Sequence, residues 1–240
     1  MAVIGEGQIM SIRSVLQDNL NLSDEKLMAF EKFADFLKEK NKQMNLTAIT
    51  DDDEIAVKHF LDSLSLYNAL DIRDKSKIID IGTGAGFPSV PLLIYNKTLK
   101  ITMVDSLGKR LRFIDEALEK LDLTAETIHA RAEDLGRDPE YREKYDFAVS
   151  RAVAGLNVLV ELCVPFIKAG GIFAAMKGPE AENEISAAKS ALDLLGAEVT
   201  ETKSVVLPGD LTRKIIVIQK VRETDERFPR TSKNILKRPL

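Results

Sequence analysis

The segment Asp80-Ile-Gly-Thr-Gly-Ala-Gly-Phe87 decides the fold of this chain of 240 residues. An apolar run that begins at Ile78 leads into the glycines, and a short run of this kind predicts a buried parallel strand. Glycines after a strand let the backbone turn sharply and let a ligand approach main-chain N–H groups. The spacing is G-x-G-x-G, whereas a dinucleotide-binding turn has G-x-G-x-x-G. Because Phe87 replaces the last dinucleotide glycine, the turn indicates a ligand other than a dinucleotide.

Downstream of this turn, the sequence alternates between strand and helix patterns. The predicted strands cover residues 78–81, 101–104, 126–129, 147–149, 172–176, 199–207 and 214–221. The predicted helices cover residues 107–121, 156–168 and 179–195. This alternation predicts an α/β fold with a mostly parallel seven-stranded sheet and helices on both faces. The last two strands have no clear helix between them, so we expect an antiparallel hairpin at one edge.

The N-terminal region reads as a helical extension ahead of the sheet. Leu27 and Phe33 belong to an apolar pattern with helical spacing, and Ser23 is a suitable N-cap for that helix. Residues 41–50 read as a loop, and a second amphipathic helix is predicted over 53–70. We therefore divide the chain into a helical extension (1–72), a ligand-binding α/β domain (73–222) and a C-terminal tail (223–240).

The composition is that of an ordinary globular protein, with 45% hydrophobic and 30% charged residues. No apolar run reaches the roughly 20 residues that span a bilayer, and we see no secretion signal. Cys163 is the single cysteine, which excludes an intramolecular disulfide and is typical of a reducing compartment. We therefore expect a cytoplasmic protein with no membrane contact and no metal site.

Charge is distributed unevenly along the chain. The net charge is −4, yet the last 14 residues carry five basic side chains and no acidic one. The basic residues of this segment are Arg227, Arg230, Lys233, Lys237 and Arg238. A basic tail on an acidic body is typical of a phosphate-binding segment, and equally of a disordered, solubilising terminus. Arg230 is therefore one candidate contact for a nucleic-acid substrate.

Side chains that suit a nucleoside follow the next two strands. Asp105 ends the second strand, where a carboxylate accepts both ribose hydroxyls, and Ser106 follows it. An Asp at this place also serves as a cap for the following helix. Ala132 and Glu133 follow the third strand, where an adenine ring would lie. Together with the G-x-G-x-G turn and the upstream Asp80, this arrangement resembles the class I S-adenosylmethionine-dependent methyltransferases.

The segment Ser150-Arg-Ala-Val153 follows the fourth strand, where the methyl acceptor binds in such enzymes. It lacks the Asp/Asn-Pro-Pro-aromatic pattern of enzymes that act on exocyclic amines, and Cys163 lies among apolar residues as a core residue. An acceptor with a free lone pair, such as N7 of guanine, needs alignment more than proton transfer. Arg151 is the candidate catalytic residue, because it can donate to a phosphate, a base edge or the cofactor carboxylate. A structural ion pair is the alternative role for Arg151.

Five segments carry a resemblance to one family. They are Asn45-Leu-Thr47, His59-Phe-Leu-Asp-Ser63, Asp80-Ile-Gly-Thr-Gly-Ala-Gly-Phe-Pro-Ser-Val-Pro91, Val104-Asp-Ser106 with Lys109-Arg110, and Ser150-Arg-Ala-Val153. Across nearly its whole length the chain resembles the bacterial 16S ribosomal RNA guanine-N7 methyltransferases, also called the glucose-inhibited division protein B family. The Gly-Phe-Pro continuation and the Ser-Arg-Ala segment are more specific to this family than the glycines are.

The resemblance implies a Rossmann-like class I fold and an activity. The enzyme would transfer a methyl group from S-adenosylmethionine to N7 of one guanine in 16S rRNA, within an assembled small ribosomal subunit. Separately from the resemblance, we expect a monomer. The implied cofactor contacts, together with those argued above, are Asp80, Gly82, Gly84, Gly86, Phe87, Asp105, Ser106, Ala132, Glu133 and Arg151. The candidate substrate contacts are Asn41, Asn45, Thr47, His59, Lys177 and Arg230, with Asp62 also facing the mouth of the site.

Two other functions remain open from the sequence. A small-molecule methyltransferase has the same fold, and fold alone does not exclude it. A non-catalytic ribosome-assembly factor would bind the cofactor only as a ligand. The complete set of Gly82, Asp105 and Arg151 favours an enzyme over such a factor.

Overall fold

The computed structural model describes residues 10–151 and 153–240. Residues 1–9 of the predicted helical extension, and Ala152 of the Ser-Arg-Ala-Val segment, lie outside the described residues. Within the described ranges, no helix is both long and apolar enough to cross a membrane.

The described strands form one seven-stranded sheet in the order β3-β2-β1-β4-β5-β7-β6. They are β1 Lys77–Ile81, β2 Lys100–Asp105, β3 Glu126–His129, β4 Tyr145–Arg151, β5 Ile167–Lys177, β6 Ala197–Leu207 and β7 Leu211–Lys220. Strands β1 to β5 are parallel, and β7 is antiparallel to both β5 and β6. The predicted mostly parallel sheet with a hairpin at one edge is confirmed.

Helices cover both faces of this sheet. In the extension they are α1 Ile12–Asn19, α2 Asp24–Met44, α3 Asp52–Ile55, a π-helical turn Ala56–Leu61, α4 Asp62–Leu64 and α5 Leu66–Ala69. In the sheet region and tail they are α6 Ser89–Tyr95, α7 Gly108–Leu121, α8 Ala132–Leu135, α9 Leu156–Cys163, α10 Ala181–Leu195 and α11 Ser232–Lys237. The apolar side chains of β1 alternate between the two faces. Ile78 packs with α2, α6 and α7, whereas Ile79 and Ile81 pack with α8, α9 and α10.

Several predicted boundaries differ from the structure, among them two helix ends. The helix predicted over 156–168 ends at Cys163, and a 3-10 turn at Val164–Phe166 leads into β5. Pro165 explains this end, because proline has no backbone N–H and clashes with the preceding helical turn. The helix α2 extends to Met44, which is within the predicted loop, and Asn45 ends it in the left-handed conformation at φ 50°.

Aromatic rings join the N-terminal helices to the sheet. The ring of Phe33 in α2 lies 5.5 Å from that of Phe87 in the glycine turn, and Phe36 stacks on Phe113 of α7 at 5.3 Å. All four rings are buried, and each contributes about 1.5–3 kcal/mol through loss of apolar surface from water. The N-terminal helices therefore share one core with this face of the sheet. The predicted domain boundary at residue 72 stays a prediction.

The C-terminal segment packs against the opposite face. Arg142 donates from Nη2 to the carbonyl of Thr224 at 2.6 Å and from Nη1 to the carbonyl of Phe228 at 2.8 Å. The side chains of Phe228 and Ile235 are buried. Arg230 forms a two-pronged ion pair with Glu161 of α9, with Nε to Oε1 at 2.9 Å and Nη2 to Oε2 at 2.7 Å. The tail is thus attached to the domain by buried contacts, while its other basic side chains are exposed.

We expect Arg230→Ala to lower the free energy of unfolding by about 3–5 kcal/mol, because it leaves the buried Glu161 carboxylate without its cation. Lys233→Ala removes an exposed tail cation and should change the free energy of unfolding by less than about 0.5 kcal/mol. Urea denaturation of both variants measures the difference. Equal stabilities of the two variants would show that the pair does not attach the tail.

Candidate active site

The glycine turn adopts a conformation that requires glycine. Gly82, Gly84 and Gly86 have φ values of +73°, +62° and +85°. The N–H of Gly82 donates to the carbonyl of Val104 at 2.8 Å, which holds the turn against the end of β2. A Cβ on Gly82 would lie 2.6 Å from Cγ2 of Val153, whereas a Cβ on Gly84 would meet nothing nearer than 3.9 Å. The turn therefore leaves open space beside Gly84, where a ligand can approach the main chain.

Asp105 ties this turn to the end of β2. Its Oδ2 accepts from the N–H of Gly84 at 3.0 Å and from Nη1 of Arg110 at 3.3 Å, and its Oδ1 accepts from the N–H of Leu107 at 2.9 Å. Asp105 can serve as a helix cap and also bind a ribose, because each carboxylate oxygen has two lone pairs and Oδ1 accepts from only one donor. Ser106 follows with an exposed side chain at the rim. The ribose contact stays a prediction.

Asp80 lies in β1 directly before the glycine turn and does not line the cavity described below. It is fully buried, and its Oδ2 accepts from Oγ of Ser89 at 2.7 Å, which fixes the first turn of α6. Burial raises the pKa of Asp80 to about 7. Asp80 therefore stabilises the start of α6, the helix that follows the glycine turn, and a direct contact of Asp80 with the cofactor stays a prediction.

A cavity of about 480 Å³ lies at the carboxyl ends of β1, β2, β3 and β4. Its lining includes Thr47, Gly82, Gly84, Asp105, Glu133 and Arg151. The volume is in the range of small-ligand sites, and the position follows the rule for open α/β sheets. The structure thus brings predicted contacts from the extension, the turn and three strand ends to one place.

Glu133 provides a test of whether the cavity fits a nucleoside cofactor. Its side chain is buried where α8 follows β3, and its Oε1 has no hydrogen-bond partner among the described residues. The nearest cation is Nη1 of Arg131, at 3.9 Å. A buried carboxylate oxygen without a donor fits an incoming amino or hydroxyl group, and adenine and ribose carry such groups. These residues therefore fit S-adenosylmethionine.

Arg151, at the end of β4, is held by the N-terminal helices. Its Nη1 donates to Oδ2 of Asp62 at 2.8 Å and to the carbonyl of Lys58 at 3.2 Å, and its Nη2 lies 3.2 Å from Nδ1 of His59. The guanidinium carbon lies 4.9 Å from the centre of the Phe87 ring. Arg151 therefore forms a structural ion pair with Asp62 and also lines the cavity. Its role as the catalytic residue stays a prediction.

His59 lies on the π-helical turn and completes this wall. Arginine has only donors, so Nδ1 of His59 accepts from Arg151, and Nε2–H donates to Oγ1 of Thr47 at 2.9 Å. The imidazole stacks on Phe87 with ring centroids 4.3 Å apart. Burial, and then the charge of Arg151, lowers the pKa of His59 to about 3. His59 is therefore neutral at physiological pH and fixed in one tautomer.

The two asparagines of the extension have different surroundings. Asn41 accepts from the N–H groups of Leu46 and Thr47 at 2.6 and 2.9 Å and donates to the carbonyl of Thr47 at 2.8 Å. Its side chain therefore shapes the loop that carries Thr47 to the cavity. Asn45 is exposed at the end of α2. For both asparagines, a contact with substrate stays a prediction.

The two predicted RNA-binding cations have protein partners. Nζ of Lys177 donates to the carbonyl of Ala154 and to Oε2 of Glu184, both at 2.6 Å, and its side chain is only 8% exposed. Arg230 is paired with Glu161 on α9. Their phosphate contacts stay predictions. The sequence did not single out Arg213 of β7, whose Nε lies 3.4 Å from Oδ1 of Asp62, because its pairing across the fold leaves no local pattern.

Within the part of the chain that the structure describes, no group of three or more His, Cys, Asp or Glu side chains is arranged to hold a metal ion.

We expect Gly82→Ala to weaken S-adenosylmethionine binding at least tenfold in calorimetry, because a Cβ would clash with Val153 and move the turn. Gly209 is a matched control, since it has φ +77° and nothing within 4 Å of a Cβ. Both substitutions strain the backbone by about 1–2 kcal/mol. Unchanged affinity in Gly82→Ala, as in Gly209→Ala, would contradict this placement of the ligand.

The lowered pKa of His59 predicts a pH-dependent stability. Between about pH 3 and pH 6.5, the pKa of His59 in the unfolded chain, His59 binds a proton only when the chain is unfolded. The contribution of neutral His59 to the stability of the folded state is therefore full above pH 6.5 and is lost as the pH falls. From pH 7 to pH 5, the wild type should lose about 2 kcal/mol relative to His59→Gln. Chemical denaturation at both pH values measures this difference. The same loss in both proteins would contradict a buried, neutral His59.

Comparisons with known proteins identify the family. The model of the rRNA small subunit methyltransferase G family (GidB) matches residues 26–216. Ribosomal RNA small subunit methyltransferase G of Acetivibrio thermocellus is 50% identical over 92% of this chain and 91% of its own length. The protein of the same name from Alkaliphilus metalliredigens is 42% identical over 96% of this chain and all of its own.

Solved structures confirm the predicted fold. A SAM-dependent O-methyltransferase from Thermotoga maritima has a TM-score of 0.51 and 19% identity, over 79% of this chain and 72% of its own. At this identity the likeness concerns the fold alone. Together, the family match and the fold confirm the predictions of a class I methyltransferase and of S-adenosylmethionine as its cofactor. The chain belongs to the rRNA small subunit methyltransferase G family.

Proposed function

We propose that this protein transfers the methyl group of S-adenosylmethionine to N7 of one guanine in 16S rRNA. The observation that carries the proposal is the cavity at the carboxyl ends of β1 to β4, bounded by Gly82 and Arg151, in a chain that matches the family over residues 26–216. When bound, the cofactor supplies a methyl group on a positively charged sulfur, which a lone pair can attack directly. The protein then has to bind and align the two reactants.

The state of His59 fits an acceptor that carries no proton. A general base works best with a pKa near the operating pH, and the pKa of His59 is lowered to about 3. Both of its ring nitrogens are also engaged, by Arg151 and Thr47. N7 of guanine has a lone pair and no hydrogen, so its methylation needs no deprotonation. His59 and Arg151 thus align groups at the acceptor side without taking a proton.

The protein's part in catalysis is mainly to hold the reacting groups in place. The Gly82 and Gly84 main chain, Asp105 and Glu133 bind the nucleoside part of the cofactor from one side. Arg151 lies at the other side, fixed by Asp62 and the Lys58 carbonyl, and presents a guanidinium that donates to the cofactor carboxylate or to the base edge. Fixing the reactants in this way supplies several kcal/mol of the barrier reduction.

We propose further that a single chain acts on the assembled small subunit, in the bacterial cytoplasm. Residues of the N-terminal helices, the glycine turn and the strand ends of one chain together line the cavity, which supports a single chain as the acting unit. The exposed tail cations Arg227, Lys233, Lys237 and Arg238 lie on the surface and are available to phosphate groups.

Transfer of a tritiated methyl group from S-adenosylmethionine tests the proposal. We expect label in small subunits or 16S rRNA, recovered as N7-methylguanosine after digestion to nucleosides. Large subunits are the matched control substrate and should stay unlabelled. Label only in free nucleosides, or in none of the substrates, would overturn the proposal. Comparison of small subunits with naked 16S rRNA decides which of the two is the substrate.

A further inference from the structure

A second cavity lies next to the cofactor cavity. Its volume is about 430 Å³, and it lies between the π-helical turn, the end of β5 and the start of β7. His59 and Arg151 are the two residues that line both cavities. These two side chains therefore lie where the two cavities adjoin. A base in the second cavity has to extend past them, because a methyl acceptor must contact the methyl group of the cofactor directly.

The second cavity contains a buried carboxylate with unused hydrogen-bonding capacity. The side chain of Asp62 lines it and is 5% exposed. Its Oδ2 accepts from Arg151, but its Oδ1 has no hydrogen-bond partner among the described residues. Nε of Arg213 forms a long ion pair with that oxygen, at 3.4 Å, without a hydrogen bond to it. Leaving a buried polar atom without a hydrogen bond costs free energy, so this oxygen retains the capacity to accept from a further donor.

The other carboxylate that lines the cavity is already satisfied. Oε2 of Glu184 accepts from Nζ of Lys177 at 2.6 Å and from the N–H of Leu156 at 2.7 Å. The capacity for a new donor is therefore concentrated at Asp62. Five cationic side chains line the cavity as well, and each of them is paired with a carboxylate of the protein. The cations that line it are Lys58, Arg151, Lys177, Arg213 and Lys214.

We propose that this second cavity receives the target guanine and that Asp62 reads its Watson–Crick edge. The inference rests on the proposed function. A carboxylate is an acceptor only, and guanine presents two adjacent donors, N1–H and the N2 amino group, on that edge. Adenine places an acceptor at N1, which a carboxylate repels. Asp62 thus selects guanine, and the same carboxylate fixes Arg151 beside the place where base and cofactor meet.

A double-mutant cycle tests this inference by combining a substitution of Asp62 with a substitution of the target base. Small subunits are reconstituted with 16S rRNA that carries inosine in place of the target guanine, which removes only the N2 amino group. The relative kcat/KM for guanine and inosine is then measured for the wild type and for Asp62→Asn. Effects of inosine on the RNA itself, or on the reactivity of N7, are common to both enzymes and cancel in the ratio.

For the wild type, we expect inosine to lower kcat/KM by about 10- to 100-fold, since it removes a hydrogen bond to a charged group. Asp62→Asn should have a lower kcat/KM on guanine than the wild type. Its kcat/KM on inosine should be less than about threefold lower than its own value on guanine. If Asp62 only holds Arg151, the variant is slower on both substrates but keeps the wild-type ratio, and the inference is overturned. Glu184→Gln makes the same change of charge in the same cavity and should keep the wild-type ratio.

Two further measurements keep the outcomes distinguishable. Calorimetric binding of S-adenosylmethionine to Asp62→Asn establishes that the variant is folded and retains its cofactor site. Methylation of guanine-containing subunits by the wild type is the test of the proposed function, independent of the inosine ratio. A wild type that methylates guanine and inosine equally well would overturn the role of Asp62 while leaving the proposed function intact.

Discussion

The largely buried guanidinium of Arg151 is the group on which the active site depends. A cation at the end of a central strand is removed from water, and it is tolerated only where fixed acceptors replace its hydration. The sheet does not supply them. Instead Asp62, the Lys58 carbonyl and Nδ1 of His59 come from the helical run of the N-terminal extension, and the Phe87 ring lies against the guanidinium. The extension is therefore part of the site.

The same arrangement explains why the glycine turn continues into Phe87. Its ring contacts His59, Phe33 and Phe60, so the residue that follows the last glycine anchors the turn to the extension. Asp80 fixes the start of α6 through Ser89, and Asp105 accepts from the N–H of Gly84. The elements that flank the turn and one N–H of the turn itself are thus held in place, which preorganises the turn for binding.

Buried ion pairs recur where distant segments meet. Arg230 docks the tail on Glu161, and the fully buried Lys220 pairs with Glu143 at 2.6 Å beside the Val164 carbonyl. Each pair joins positions more than 60 residues apart in the chain. Such pairs add little net stability over apolar packing, but each is costly to break, and together they fix where the segments dock. The basic side chains of the tail are therefore of two kinds. Arg230 attaches the tail to the domain, and the other basic side chains are exposed to solvent.

The sequence by itself determined the mostly parallel sheet with helices on both faces, the class of cofactor and the family, because each of these depends on local patterns. The alternation of strands and helices, the G-x-G-x-G spacing and Asp105 at a strand end need only a few consecutive residues to be recognised. The pairing of Asp62 with Arg151, of Arg230 with Glu161 and of Arg213 with Asp62 was decided by the tertiary structure. An ion pair depends on distance in space, and no short-range pattern records which side chains meet across 69 to 151 residues of intervening fold. The lowered pKa of His59 is likewise a product of burial beside Arg151, which only the packed structure creates.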